Sequence, residues 1–214
     1  MRSFPGSPRV LCGAIVEVDP ASPLSRLVVF QYNPDRMTRS LRPLAPAAGQ
    51  ASDARRLSGA PVETVTMTVE VDAADQMEQG DPVAAVGIAP QLAALEMLLY
   101  PSTAQVVANA ALLAAGTIEI VPPESPLAVL VWGPGRAVPV RIQSLGITEH
   151  AFTPDLFPTR AEVELSAQVL SYNDLPVGSP GYALFLVHQV MKEAMAVVAG
   201  VSGAVSAVTG AVAG

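Results

Sequence analysis

Apolar and polar residues alternate strictly along two segments of the chain, Val62–Val71 and the first ten residues of Arg160–Tyr172. Such period-two alternation predicts strands that bury one face and leave the other in water or at an interface. In the first strand the predicted buried face carries Val65, Met67, Val69 and Val71, and the polar face carries Thr64, Thr66, Thr68 and Glu70. In the second strand the predicted buried face carries Ala161, Val163, Leu165, Ala167 and Val169, and the polar face carries Arg160, Glu162, Glu164, Ser166 and Gln168.

Four further runs rich in β-branched residues predict strands. The first two are joined by a proline-containing turn, so we expect a hairpin that ends at Asn33-Pro34 because proline cannot donate to a ladder. The tight turn Gly133-Pro134-Gly135-Arg136 joins the other two. The four runs are Val10–Val18, Leu24–Tyr32, Leu127–Trp132 and Val138–Thr148.

Helical spacing appears in three places. Gln91–Tyr100 places Leu92, Leu95 and Leu99 on one face before Pro101, Ala104–Ala115 is rich in alanine, and the pattern becomes helical again from Gly181. Residues 41–60 follow neither period and predict an extended loop or mobile arm.

Strands that cluster rather than alternate with helices favour an α+β fold, mainly an antiparallel β-barrel or sandwich with a flanking helix, over a doubly wound fold. We divide the chain into a β domain over residues 1–180 and a helical C-terminal extension over residues 181–214. Disorder throughout is excluded, since 50% of the residues are hydrophobic and the net charge is only −7.

Composition also narrows the partners and the compartment. A phosphate-backbone binder needs clustered positive charge, but this acidic chain has scattered arginines and one lysine, Lys192, so we expect no nucleic acid partner. The N-terminus has no secretory apolar run, and the single cysteine, Cys12, indicates no disulfide. We expect a cytoplasmic protein in which Cys12 is a small buried residue.

No motif in the sequence predicts an enzyme, a cofactor or a metal. Phosphate-loop and nucleophile-elbow motifs are absent from the sequence, and His150, His188 and Cys12 are too few and scattered for zinc. His188 is expected to pack in a helix, partly buried. Glu162 and Glu164 share one strand face about 7 Å apart, so a hydrolase that uses them, or His150, stays an alternative.

The C-terminal segment 194–214 carries no charged side chain. Five of its valines, at 197, 201, 205, 208 and 212, are spaced so as to form one stripe along a helix. Three interpretations remain open: a helix that docks into a partner groove, a low-complexity tail, and a membrane span. The low total hydrophobicity of valine and four glycines weaken the third, so we expect no membrane contact.

Several short elements, in order over residues 10–172, resemble one protein family. Phe30-Gln31-Tyr32-Asn33-Pro34 resembles the F-x-[FY]-N-P element of contractile injection system tube proteins of the tube-initiator and LysM-adaptor type. The Thr/Val strand at 63–72 resembles the strand that follows it, and Leu95–Pro101 the short helix that ends in proline. The strand 127–133 resembles the one that ends in a W-G pair, here Trp132-Gly133.

The segment from Phe152 to Glu162 resembles the family signature F-x-x-D-G-x-P-x-R-A-E, with Pro158 and Arg160 at the matching positions. Leu156 stands where this signature has glycine, and an Ala-rich insertion at 102–124 precedes the W-G strand. No LysM module follows residue 180, so the resemblance does not extend to peptidoglycan contact.

The resemblance implies a structural, non-enzymatic baseplate component, a tube initiator or hub adaptor. Such a protein forms a homo-hexameric ring whose sheets join edge to edge around a channel, and it contacts the inner-tube protein, the spike or hub protein and other baseplate proteins. Under this hypothesis Tyr32 and Asn33 end a strand, Trp132 is a core or ring-contact aromatic, and Arg160 and Glu162 are inter-subunit charges. The alternatives are the main inner-tube protein and a peripheral binding or membrane-anchor module acting through 194–214.

Overall fold

A computed structural model describes residues 12–18, 27–30, 33–44, 57–73, 86–116, 127–133 and 135–212, with the backbone alone over 201–212. These residues form seven strands and three helices. The strands are β1 (Ala14–Val18), β2 (Leu27–Val29), β3 (Met37–Arg42), β4 (Val62–Asp72), β5 (Leu127–Val131), β6 (Ala137–Phe152) and β7 (Pro158–Val169), and the helices are α1 (Ala89–Glu96), α2 (Thr103–Ala114) and α3 (Pro180–Val212).

The seven strands form one sheet in the order β2-β1-β5-β6-β7-β4-β3, and every neighbouring pair is antiparallel. The predicted mixed fold with a mainly antiparallel sheet is therefore confirmed. The sheet is open among the described strands, with β2 and β3 as its two edges. The long hairpin β6–β7 lies at its centre and carries most of the ladder.

The core lies on one face of this sheet, as the alternation predicts. All nine apolar residues of the predicted buried faces of β4 and β7 are buried. They join one continuous cluster with Ile15 of β1, Leu130 of β5 and the α1 side chains Leu92 and Leu95. One face of the sheet therefore packs against helices, and the other face carries the polar series.

Helix α1 begins two residues earlier and ends four residues earlier than predicted. Pro90 lies in its first turn, where a missing amide costs nothing. After Glu96 the chain tightens, because the amides of Leu98 and Leu99 bond to carbonyls three residues back. The prediction that Pro101 ends the helix was therefore wrong.

Strand β3 was not predicted, because its sequence MTRSLR has no apolar alternation and five of its six residues are exposed. Its last two residues, Leu41 and Arg42, belong to the segment predicted as loop, of which residues 45–56 lie outside the described part. Strand β6 runs four residues beyond its predicted end and starts one earlier, because it stays paired with β7 to Phe152. Strands β1 and β2 pair as the predicted hairpin, over fewer described residues.

Helices α2 and α3 begin at well-formed caps. Ser102 and Gln105 form a reciprocal capping box at the start of α2, inside the Ala-rich segment 102–124, of which 117–124 lie outside the described residues. None of the twelve residues of α2 is buried. The Ser179 hydroxyl accepts the Tyr182 amide at the start of α3, which Pro180 opens.

Candidate assembly surfaces

Two sequence motifs that are a hundred positions apart meet at Gly13. The Phe30 and Trp132 rings lie 6.2 Å apart between centroids, and a Cβ on Gly13 would sit 2.7 Å from Trp132 and 2.8 Å from Phe30. The Asn33 side chain accepts the Gly13 amide at 2.8 Å. Trp132 thus packs on the core, and the two motifs form one junction that only glycine fits.

The other motif residues of this region fall near that junction. Pro34 follows Asn33 and is partly buried, whereas Tyr32 lies outside the described residues. Gly133 and Gly135 have positive φ angles of 81° and 71°, and the Trp132 amide donates to the Arg136 carbonyl at 2.8 Å. The predicted tight turn between β5 and β6 is confirmed.

Cys12, by contrast, is exposed, so its prediction as a buried residue was wrong.

The tip of the β6–β7 hairpin carries three exposed apolar side chains, those of Phe152, Leu156 and Phe157. Leu156 has a φ of 66°, which is the left-handed conformation that glycine adopts freely. Its amide donates to the Thr153 carbonyl at 2.9 Å, and its side chain is 78% exposed. The turn thus keeps the backbone that a glycine would favour, with a leucine in its place.

Arg160 and Glu162 both lie on the polar face of β7, and each has a partner within the chain. Arg160 Nη2 lies 3.3 Å from the Glu70 carboxylate on β4, and His150 Nε2 lies 3.9 Å from the Glu162 carboxylate. All four side chains are about half exposed, so these pairs contribute little to the free energy of unfolding.

A polar cleft of about 710 Å³ opens on this face. Among the described lining residues are Glu162 and Glu70 but not Glu164. Its other polar lining residues include Thr66, Thr68 and Arg36. Glu162 and Glu70 are direct cross-strand partners. The two carboxylates of the hydrolase alternative therefore share the polar face, but they do not line this cleft together.

A buried carboxylate on the opposite face joins the sheet to α3. Glu63 is only 5% exposed, and it accepts the Arg39 Nε of β3 at 2.6 Å and the Lys192 Nζ of α3 at 3.0 Å. Burial alone would raise the pKa of Glu63, but the hydrogen bonds and charges of Lys192 and Arg39 outweigh burial and hold the pKa below 4.5. We refer to Arg39, Glu63 and Lys192 as the ion triad.

His188 lies one helical turn before Lys192 and is 7% exposed, as the prediction of a packing residue required. Its burial, together with the Lys192 charge, lowers the pKa of the imidazole below 6.5. Its Nδ1 has no hydrogen-bond partner among the residues that the structure describes. The His188 residue lines a cavity of about 20 Å³ beside Trp132, Arg136 and Glu63, large enough for one water molecule.

The same cavity shows how strongly the sheet curves. Met37 and Arg39 of edge strand β3 line it together with Leu130 of β5 and Trp132. Strands β4, β7 and β6 stand between β3 and β5 in the sheet order. The core face is therefore concave, and α3 closes its open side.

Neither a metal site nor a membrane segment is established by these surfaces. Within the described ranges, no group of three or more His, Cys, Asp or Glu side chains could hold a metal ion. The segment Pro180–Gly200 of α3 is long and apolar enough to cross a membrane by length and composition, with a mean hydropathy of 1.3. That criterion is also met by helices of soluble proteins.

No protein-family model matches the chain, and the search of curated proteins gave no match.

Sequence reasoning missed the ion triad and Gly13. Glu63 has the same parity as Val65 and Met67, so the alternation itself places an acid on the buried face. A buried carboxylate requires a cation, and the chain has a single lysine to consider. Gly13 carried no such signal, because its packing depends on two aromatic residues brought together by the fold.

Proposed function

We propose that the chain is a structural subunit of a contractile injection system, a baseplate tube initiator or hub adaptor that forms a hexameric ring. The ring links the spike hub to the inner tube and serves as a template for the first ring of tube. The observation that carries the proposal is the open antiparallel sheet, whose edges β2 and β3 have no partner strand among the described residues. Free edges are templates for pairing with another chain.

The chemistry of edge β3 fits a specific contact better than aggregation. The strand carries Arg42 and the inward-directed Arg39, which binds Glu63, and such charges on an edge discourage indiscriminate pairing. A heterologous contact between β3 of one copy and β2 of the next closes into a ring when the rotation per subunit allows it. The curvature of the sheet supports a tube-type barrel architecture, in which neighbouring sheets complete the closure.

The polar face of the sheet suits the lining of a water-filled channel. Hydroxyl side chains form a row across four strands, since Ser144 pairs with Ser166, Ser166 with Thr66, and Thr66 with Thr38. Thr148, Glu162 and Glu70 form another row nearer the hairpin tip. With the core face covered by α1 and α3, this polar face is the one that turns toward the channel.

The test is the oligomeric state of the full chain, with rings sought by negative-stain electron microscopy and mass by native mass spectrometry. We expect hexamers. Successive residues of a strand direct their amides to opposite sides, so one of Ser40→Pro and Leu41→Pro removes a β3–β4 bond and the other blocks only the free edge. The variant that keeps the wild-type melting temperature is expected to be monomeric.

The same pair of variants supplies the control, since the destabilised one reports loss of fold and the stable one reports loss of edge pairing. Rings that persist in the stable variant, or a wild-type chain that stays monomeric at high concentration, contradict the proposal. Copy number per particle separates the initiator from the main inner-tube protein. One ring of copies is expected for an initiator, and a number equal to that of the tube would identify the tube itself.

A further inference from the structure

Helix α3 has two faces of different character along its first half. Phe185, His188 and Lys192 lie within about 40° of Gly181 around the helix axis, and these four positions meet the sheet and its loops. Phe185 packs edge-on against Tyr172 at 5.7 Å, and Lys192 reaches Glu63. Beyond Lys192 the helix no longer meets the sheet with a buried face, since every residue from 193 to 200 is exposed.

The opposite face of α3 is a stripe of apolar residues. Val187, Val190, Ala194 and Val197 lie between about 160° and 240° from Gly181, and the three valines are each more than 60% exposed. In the sequence the same spacing of three and four continues through valines at 201, 205, 208 and 212. We call this set the valine stripe. Up to Val197 the stripe is exposed, because the sheet lies on the other side of the helix.

We propose that the valine stripe of α3 packs against the valine stripe of α3 in a second copy of this chain. Apolar residues that recur every three and four positions form the seam of paired helices. In a two-fold contact, two copies of one helix present the same seam to each other. From Ala194 to Val212 there is no charged side chain, so no charge would have to leave water when the two helices meet.

Two observations favour this partner over a lipid bilayer. The ion triad and the Phe185–Tyr172 contact hold the first half of α3 against the sheet. The Pro180–Gly200 segment would therefore have to detach from the sheet in order to span a membrane. The free half has no basic residue to meet anionic lipid headgroups, and the chain is acidic overall. Packing against another copy of the same helix requires neither detachment of α3 from the sheet nor basic residues in its free half.

The experiment places a cysteine on each face of α3 in the full chain. With Cys12→Ser removing the exposed native thiol, Val197→Cys is compared with Ala199→Cys, which lies about 200° away around the helix. Both positions are exposed in the structure. After mild oxidation, we expect Val197→Cys to form covalent dimers at least about tenfold faster than Ala199→Cys, because burial of the stripe excludes the other face from the contact.

Equal rates at both positions, or dimers at neither, would overturn the proposal. So would binding of the wild-type chain to phosphatidylcholine vesicles that Val190→Asp abolishes, since the stripe would then face lipid. The contact does not depend on the ring. In the stable edge-proline variant of β3, the Val197→Cys dimer is expected to persist, so loss of rings and loss of α3 pairing are separate outcomes.

Discussion

The Nζ of Lys192 lies 3.0 Å from the Oε2 of Glu63, although 129 positions of sequence separate the two residues. One residue lies on the C-terminal helix and the other on a strand next to the sheet edge. Since Arg39 binds the second carboxylate oxygen of Glu63, the same acid also joins edge strand β3 to β4. The only lysine of the chain is thus used to hold α3 across the concave face.

Loss of either charge is expected to weaken the attachment of α3, but by different amounts. Glu63→Gln leaves two cations without their carboxylate, and we expect the free energy of unfolding to fall by about 1–3 kcal/mol. Lys192→Met leaves Glu63 paired with Arg39, and because the lysine is partly exposed the loss is about 1 kcal/mol or less. Urea denaturation measures both, and the double variant gives the coupling energy.

Glu193→Gln is the matched control for Lys192→Met. The Glu193 carboxylate neighbours Lys192 in the chain, is exposed, and among the bonds described pairs only locally with Gln189. Glu193→Gln should change the free energy of unfolding by no more than about 0.5 kcal/mol. A zero coupling energy between Glu63 and Lys192 would show that their contact does not contribute to stability.

The free energy of unfolding should fall on acidification in two intervals. His188 binds its proton near pH 6.5 when unfolded but only at lower pH when folded, so the unfolded state binds more protons as the pH falls below 6.5. Glu63 behaves in the same direction below pH 4.5. Each group contributes a slope of up to about 1.4 kcal/mol per pH unit within its interval, and its stabilisation is complete above it.

Urea denaturation from pH 8 to about pH 3 measures this dependence across both intervals. Arg39, Lys192, Glu63 and Arg136 surround His188, so the contribution of the imidazole has to be isolated. His188→Gln should flatten the interval just below pH 6.5 and leave the decline below pH 4.5. An unchanged profile in this variant would assign the dependence to other groups.

The sequence predicts β4 and β7 well because each has one face in the core and the other in water. The alternation follows from that environment, and all nine apolar positions of the two predicted buried faces are buried. Strand β3 has no such alternation of apolar and polar residues. It lies at the sheet edge with most side chains in solvent, so its residues are selected by pairing with β4 rather than by burial.

The candidate site is predictable only in part, for the same reason. Phe30, Asn33 and Trp132 stand out as motif residues, but their convergence on Gly13 depends on β1 pairing with both β2 and β5. The ion triad likewise joins residues of β3, β4 and α3. Local periodicity carries no information on such long-range contacts, although the phase of the β4 alternation does place Glu63 inside.

Gly13→Ala should destabilise the fold by about 1–3 kcal/mol, because the new methyl group overpacks the contact with the Trp132 and Phe30 rings. Thermal unfolding followed by the fluorescence of Trp132, the single tryptophan, measures both the stability and the displacement of the ring.

Gly146→Ala is a matched control in strand β6, since a Cβ there meets Glu164 at an ordinary 3.6 Å. Its stability should be unchanged or higher by up to about 1 kcal/mol, because alanine loses less backbone entropy on folding. Equal losses in the two variants would mean that the Gly13 junction is not tightly packed.

Leu156→Gly is expected to leave the free energy of unfolding unchanged or to raise it by up to about 1 kcal/mol, although it deletes a large side chain. The left-handed backbone at φ 66° costs a leucine about 1–2 kcal/mol, and glycine relieves that cost while adding about 0.5–1 kcal/mol of unfolded-state entropy. Because the side chain is mostly in solvent, little packing is lost. Phe157→Ala, at a less exposed neighbour, is the control and should destabilise the fold more. If Leu156→Gly instead cost more than about 1 kcal/mol in urea denaturation, the leucine would have to pack against the protein rather than stand free at the tip of the hairpin, where a partner surface can reach it.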